Sequence, residues 1–146
     1  MDNREVINDV LVNLFNEILR LEEEAIITDK YKDISNNDMH IIEAVGLGGG
    51  NMSSIAAKLK ITVGSLTTSM NSLVKKGYVK RERSEKDRRV AFIQLTNKGR
   101  MAYHHHAEFH RQMTEAVLEE LNEDETEVLV KALDGLRKFF RQYHEQ

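Results

Sequence analysis

The stretch Lys75–Arg89, Lys-Lys-Gly-Tyr-Val-Lys-Arg-Glu-Arg-Ser-Glu-Lys-Asp-Arg-Arg, decides the fold of this chain. It holds eight Lys/Arg against three Asp/Glu, a local charge of +5, whereas the whole chain carries −3, so the remaining residues carry −8. A basic island on an acidic protein indicates a polyanionic partner, because phosphates are bound mainly by Lys and Arg. A Ser/Thr-rich helix pattern precedes the island and a strand pattern follows it. This order predicts a winged helix-turn-helix.

Composition narrows the class of protein. The chain has 146 residues, which favours a single domain, 1–146, with a core of its own. It has no cysteine, which excludes disulfides and thiolate metal sites. No apolar run approaches the ~18 residues that a membrane helix needs, and no signal-peptide pattern follows Met1. We therefore expect a cytoplasmic protein without membrane contact. The motifs of phosphate loops, nucleophile elbows and zinc proteases are missing, so we do not expect an enzyme.

Long amphipathic helices are predicted at both ends of the chain. Apolar residues spaced three and four apart predict a first helix over 5–28, a later helix over 96–121 capped by Thr96, and a last helix starting at Asn122. Their apolar faces are wide enough to need a partner surface, although packing within one chain is the alternative. The predicted dimerisation regions are 1–34 and 97–146.

Residues 35–96 carry the pattern of the winged helix-turn-helix lobe. Two short helices joined by about four residues form its helix-turn-helix. Tyr78–Arg83 and Val90–Thr96 are rich in strand-forming residues and flank a charged loop, so they predict a hairpin. The fold class is therefore mainly α with a two-stranded β wing. The caps and stops of the lobe helices are Ser35, the Gly46–Gly50 run, Asn51 or Ser53, Thr62 and Gly77.

The helix over residues 62–76 has two different faces. Its apolar positions are expected to point into the core; they are Val63, Leu66, Met70, Leu73 and Val74. Its outward positions hold short hydroxyl and amide side chains, which fit a DNA groove, and a solvated helix face is the alternative. The first turn also offers backbone N–H groups to a phosphate. The outward positions are Gly64, Ser65, Thr67, Thr68 and Asn71.

The wing loop, 84–90, adds arginines that suit a narrow minor groove, where the negative potential is concentrated. Asp87 is expected to brace an arginine there, and a solvated charged hairpin is the alternative. The complete set of candidate DNA-binding residues is Ser53, Gly64, Ser65, Thr67, Thr68, Asn71, Lys75, Arg83, Asp87, Arg88 and Arg89.

Two motifs resemble the MarR family of bacterial transcription regulators. Residues 87–99, Asp-Arg-Arg-Val-Ala-Phe-Ile-Gln-Leu-Thr-Asn-Lys-Gly, are similar to that family's wing, and 55–79 are similar to its helix-turn-helix. The resemblance implies a homodimeric repressor on a pseudo-palindromic double-stranded DNA operator. It also implies that Ser65, Thr67 and Thr68 contact DNA from the recognition helix. Arg89, or Arg88, would be the minor-groove arginine.

Within the family, 64–71 and 83–90 most resemble the FabT-type repressors of fatty-acid synthesis genes. That resemblance implies a long-chain acyl group on acyl carrier protein as corepressor, and a small-molecule effector is the alternative. A bound effector would act by its differential affinity for two spacings of the lobes.

A histidine cluster gives a second interpretation. His106 and His110 share one helix face, and His40 and Glu24, the latter from the Glu22–Glu24 run, could complete a zinc site. This set resembles the zinc-sensing AdcR-type regulators of the same family, and it would make the protein a zinc-responsive regulator. Interface histidines hydrogen-bonded to glutamate are the favoured interpretation. We therefore predict no cofactor.

Overall fold

A computed structural model describes residues 2–26, 31–83, 86 and 90–145, with side-chain environments as far as residue 143. The elements are α1 (Asn3–Asp9), a π-helical stretch (Val10–Leu14), α2 (Phe15–Ile26), α3 (Asn36–Val45), β1 (Gly50–Asn51), α4 (Met52–Leu59), α5 (Val63–Lys76), β2 (Val79–Arg83), β3 (Ala91–Leu95), α6 (Asn97–Glu119) and α7 (Glu123–Glu145). The mainly helical class is confirmed.

The chain forms two compact units, residues 1–109 and 110–146, and their boundary falls inside α6. No helix among the described residues is long and apolar enough to cross a membrane. The second unit contains α7, whose start is fixed by a reciprocal cap. Asn122 accepts from the Glu125 N–H at 2.9 Å, and the Glu125 carboxylate accepts from the Asn122 N–H at 3.1 Å. The predicted start of the last helix is confirmed.

The first predicted helix is longer at its N-terminus and less regular than its apolar spacing indicates. It begins at Asn3 because Asp2 and Glu5 form a capping box. The π-helical stretch coincides with Asn16 donating from its side chain to the Val12 carbonyl at 2.9 Å. A π turn closes i→i+5 hydrogen bonds within an otherwise α-helical segment, and the apolar spacing of the sequence did not indicate it. The described helix ends at Ile26, and residues 27 and 28 of the prediction lie outside the described residues.

Side-chain caps set the helices of the lobe. Ser35 and Asp38 form a capping box at α3, as predicted. Asn51, rather than Ser53, caps α4: its side chain accepts from the Ser54 N–H at 2.8 Å. Asn51 has the extended backbone of a cap, whereas Ser53 is already helical. Lys60 adopts a left-handed conformation with φ 57° and so turns the chain from α4 toward α5.

The sheet has three strands rather than the predicted two, in the order β1-β3-β2, and all pairs are antiparallel. The β2–β3 hairpin runs from the pair Val79↔Leu95 to the pair Arg83↔Ala91. β1 pairs Gly50 with Ile93 on the other edge of β3. A Cβ on Gly49, whose φ is +73°, would lie 2.5 Å from the Ile93 carbonyl oxygen. The glycine run therefore breaks α3 and also admits a third strand, which the prediction missed.

The core of the first unit lies where α3, α4, α5 and the sheet meet. Val63 and Val74, predicted to face inward, are instead 43% and 37% exposed, because they lie at the edges of the buried stripe of α5. Those two predictions are wrong. The side chains with almost no exposure are Met39, Ile41, Ile42, Val45, Ile55, Leu66, Met70, Leu73, Tyr78 and Ile93.

Candidate nucleic-acid interface

The helix α5 carries a polar stripe opposite its buried stripe. Leu66, Met70 and Leu73 are fully buried at helical spacing and anchor the helix to the core. Residues on the far side follow a spacing of four, three and four, which at about 100° per residue aligns them on one line. All four are exposed, so this line of backbone, hydroxyl, amide and ammonium groups faces outward. Its members are Gly64, Thr68, Asn71 and Lys75.

The hydroxyls beside this stripe have partners within the helix. Thr62 caps α5 by accepting from the Ser65 N–H at 3.1 Å, and its hydroxyl donates to the Ser65 hydroxyl at 3.0 Å. Thr67 donates to the Val63 carbonyl at 2.8 Å. The side chains of Thr68 and Asn71 make no hydrogen bond to other described residues. Their donors and acceptors are therefore available to a ligand.

The two adjacent lysines at the end of α5 point in different directions. Lys75 is exposed. Lys76 is held inside the lobe, where its ammonium donates to the Asp38 carboxylate at 2.9 Å and to the Asp33 carbonyl at 2.6 Å. A positive charge paired in this way contributes little to an external phosphate. Of these two lysines, Lys75 is thus the one that is placed to bind a DNA phosphate.

Exposed basic residues follow α5 on the first strand of the wing. Lys80, Arg81 and Arg83 are all exposed on β2. Lys80 lies 3.5 Å from Glu82, at a solvent-accessible pair that contributes little to stability. The predicted residues Asp87, Arg88 and Arg89 lie outside the described residues, and their roles stay predictions.

Ser53 is exposed in the first turn of α4, the first helix of the helix-turn-helix. Its neighbour Ser54 is occupied, since its hydroxyl donates to the Asn51 carbonyl at 3.0 Å. Ser53 therefore presents its hydroxyl on α4, while α5 supplies the larger exposed stripe.

The histidine cluster has a different composition from the predicted one. His106 on α6 is 3% exposed, and its Nε2 lies 3.2 Å from the Glu22 carboxylate and also contacts the Glu43 carboxylate. Glu24, the predicted ligand, is exposed, and it is Glu22 that lies against His106. His40 lies on α3 with its Nδ1 4.0 Å from Glu43.

Two carboxylates from different helices approach one imidazole nitrogen, which can donate a hydrogen bond to one of them when it carries a proton. These contacts fit the hydrogen-bonded interpretation of His106, and both that interpretation and the zinc site stay predictions. His110 follows His106 by one helical turn on α6 and belongs to the second compact unit. Sequence reasoning missed Glu43, although its position three residues after His40 on the same helix could have indicated it.

Comparison with known proteins places this chain among transcription regulators. Residues 24–105 match the family model "Transcriptional regulator SarA/Rot". Streptococcus pneumoniae FabT, whose structure was solved in complex with DNA, has 37% identity and a TM-score of 0.85, over 97% of this chain and 99% of its own. The MarR family transcription regulator SP03579 has the same fold, with a TM-score of 0.77 at 15% identity over 98% of this chain and 95% of its own.

Two curated relatives match shorter regions. The HTH-type transcriptional regulator BilQ of Clostridium symbiosum is 33% identical over 91 residues, 62% of each protein. The uncharacterized HTH-type transcriptional regulator YwhA of Bacillus subtilis is 26% identical over 89 residues, 61% of this chain and 64% of its own length. The chain thus spans less than two thirds of the curated relatives it matches.

Proposed function

We propose, from the premise that this chain belongs to the SarA/Rot family of transcriptional regulators, that it is a homodimeric repressor that binds a specific double-stranded DNA operator. The observation that carries the proposal is the exposed stripe on α5, opposite to its buried stripe. A helix held rigidly by three core residues and lined outside with short polar groups can enter a major groove.

The central residues of the stripe would contact base edges, and the residues at its two ends would contact phosphates. Asn71 has the amide that pairs in two hydrogen bonds with an adenine edge, and Thr68 can donate or accept and also contact a thymine methyl group. Gly64 lies in the first turn of α5, where backbone N–H groups and the helix dipole favour a phosphate. Lys75 at the other end would neutralise a second phosphate. Ser65 and Thr67 flank the stripe and contribute the side contacts that the family resemblance implies.

The wing would lie along the adjacent minor groove. Arg83 and the other exposed cations of β2 would approach the DNA backbone. Arg88 and Arg89 of the predicted wing loop are the arginines proposed to enter the groove, with Asp87 bracing them. Ser53 on α4 would contact the backbone beside α5. Operator affinity should then decrease steeply with salt.

The homodimer is supported by unburied apolar surface in each unit. In the first unit, α1 and α2 with the π-helical stretch between them expose large apolar side chains, among them Ile7 at 58% and Leu19 at 55%. In the second unit, Phe139, Phe140 and Tyr143 on α7 are 56%, 59% and 70% exposed. Apolar surface of this extent marks an interaction site. A two-fold dimer would present two α5 helices to half-sites about one DNA turn apart, ~34 Å.

The regulated genes are proposed from the likeness to FabT. The resemblance of 64–71 and 83–90 to FabT-type repressors supports control of fatty-acid synthesis genes. An acyl group on acyl carrier protein, or another small effector, would then tighten or loosen operator binding by preferring one lobe spacing. Adding acylated carrier protein to an operator-binding measurement would test this part separately.

The test is selection of operators from a randomised duplex library, followed by fluorescence anisotropy on the selected duplex at several salt concentrations. We expect a pseudo-palindromic sequence to be enriched. Asn71→Ala should relax discrimination at one base position of each half-site by about 1–3 kcal/mol. Failure to enrich any sequence over the starting library would overturn the proposal.

A matched pair of lysine variants tests the placement of α5. Lys75→Ala should reduce the slope of log affinity against log salt by about 0.9 for each phosphate that the protein no longer neutralises. Lys131→Ala removes the same charge from the exposed surface of α7 and should leave the slope unchanged. Equal slopes for the two variants would remove Lys75 from the interface.

A further inference from the structure

A compact polar network surrounds the point where α5 ends and the wing begins. Tyr78 is fully buried, but its hydroxyl donates to the Asp33 carboxylate at 2.6 Å. The Lys98 ammonium lies 4.3 Å from the centre of the Tyr78 ring and 3.9 Å from the other Asp33 carboxylate oxygen. Asp33 therefore accepts a hydrogen bond from Tyr78, at the start of the wing, and lies beside the positive charge of Lys98, at the start of α6.

The last turn of α5 is fixed from two further directions. Lys98 donates to the Lys76 carbonyl at 3.1 Å, one of the carbonyls that a helix end leaves without an intrahelical partner. The Lys76 ammonium crosses to the Asp33 carbonyl and to Asp38, which belongs to the capping box of α3. The end of α5 is thus attached to α3, to the segment 31–34 and to α6.

The residues that anchor this network leave little room for movement. Tyr31 and Ile34, on either side of Asp33, are 4% and 3% exposed. The Tyr78 carbonyl accepts from the Thr96 N–H at 3.0 Å. A Cβ on Gly99 would lie 2.0 Å from that same carbonyl oxygen, so the start of α6 packs directly on the backbone after α5.

We propose that Asp33 and Tyr78 are positioning residues that set the orientation of α5 for sequence-specific DNA binding, without contacting DNA themselves. This inference rests on the proposed function. The Asp33–Lys98 pair is about half exposed, at 46% and 44% for the two side chains, so its contribution to folding stability is small. What the network fixes is the direction in which α5 leaves the core, and with it the line of the exposed stripe.

Because Asp33 is charged, the effect of its substitution on DNA affinity can distinguish a positioning role from a purely electrostatic one. The hydrogen bond from Tyr78, assisted by the charges of Lys98 and Lys76, lowers the pKa of the Asp33 carboxyl, so the carboxylate is ionised at neutral pH. Asp33→Asn removes a negative charge from a protein that binds a polyanion. Electrostatics alone would make that variant bind DNA more tightly, whereas loss of positioning makes it bind the operator more weakly.

The experiment compares Asp33→Asn, Tyr78→Phe and the double variant with the wild-type protein. Anisotropy is measured on the selected operator and on an unrelated duplex of the same length, at several salt concentrations and well below each variant's Tm. Both single variants should bind the operator about 3- to 30-fold more weakly, with an unchanged salt slope and no loss of affinity for the unrelated duplex. The double variant should be no weaker than the weaker single variant, because Tyr78→Phe removes the donor of the shared contact and Asp33→Asn replaces its charged acceptor with a neutral one.

Lys75→Ala is the control for direct binding to phosphate, since it should weaken binding to both duplexes and reduce the salt slope. Operator affinities of Asp33→Asn and Tyr78→Phe within twofold of the wild type would overturn the inference while leaving the proposed function intact. A parallel loss on the unrelated duplex would equally overturn it. A wild-type protein that does not distinguish the two duplexes would overturn the proposed function and this inference with it.

Discussion

The helices α5 and α7 have similar apolar patterns in sequence, but the apolar side chains of α5 are buried and those of α7 are exposed. On α5, Leu66, Met70 and Leu73 are completely buried by neighbouring elements of the first unit. On α7, no side chain of residues 123–143 is buried, and Phe139 and Phe140 are more than half exposed. The apolar stripe of α5 fixes the helix so that its polar side can act. The apolar stripe of α7 is itself the surface available for assembly.

The strongest test of this comparison is truncation within the stripe of α5. Leu73→Ala should lower the free energy of unfolding by about 2–5 kcal/mol, because it leaves a cavity in a close-packed core. Val74→Ala, at the adjacent and partly exposed position, should cost well under half of that. Denaturant titration at several protein concentrations measures both. Equal losses for the two variants would mean that α5 is not anchored by one stripe.

The sequence predicts the elements of the lobe well because each carries a local signal. Ser35, Thr62 and Gly77 bound their helices where capping chemistry places them. The third strand was not predictable from a two-residue segment, because its formation depends on the approach of Gly49 to Ile93. Contacts between residues that are distant in the sequence produce no periodic pattern from which they could be predicted.

The candidate site shows the same limit. Periodicity located the outward side of α5, including Thr68 and Asn71. It also placed Lys75 on that side, but it could not indicate that Lys76 pairs with Asp38, because that contact depends on how α3 packs against α5. Nor could it tell that Glu22, rather than Glu24, meets His106, since consecutive glutamates point in directions about 100° apart around a helix.

A charge introduced on α7 sharpens the other side of the comparison. Phe140→Glu should weaken the dimer by about 2 kcal/mol or more, roughly 30-fold in Kd, because it places a charge in a desolvated apolar contact. Gln142→Glu adds the same charge beside the stripe and should change the Kd far less. Sedimentation velocity over a range of concentrations measures both. If Phe140→Glu leaves the dimer Kd equal to that of the wild type, α7 is not the assembly surface.

The smallest expected effect is on the pH dependence of stability. It concerns Asp33, which lies near the end of α5, and Asp134 on α7. The pKa of Asp33 is lowered by the hydrogen bond from Tyr78 and by Lys98 and Lys76, and the pKa of Asp134 on α7 is lowered by its contacts with Arg137 and Lys138. A carboxyl with a lowered pKa in the folded state stabilises the protein above its unfolded pKa, ~3.9. That contribution is lost as the pH falls through the folded pKa.

The free energy of unfolding of the wild type should therefore exceed that of Asp33→Asn by less than about 1 kcal/mol between pH 5 and 7, since the group is partly exposed. The difference should shrink as the pH is lowered below ~4. Asp134→Asn should show the same sign, and its difference should disappear in ~1 M salt, because solvent-accessible ion pairs are screened. The Asp33 difference should persist in salt, since the hydrogen bond comes from a buried tyrosine. A difference that grows toward acid pH, or an Asp33 effect that salt removes, would show that the end of α5 is no more constrained than the surface of α7.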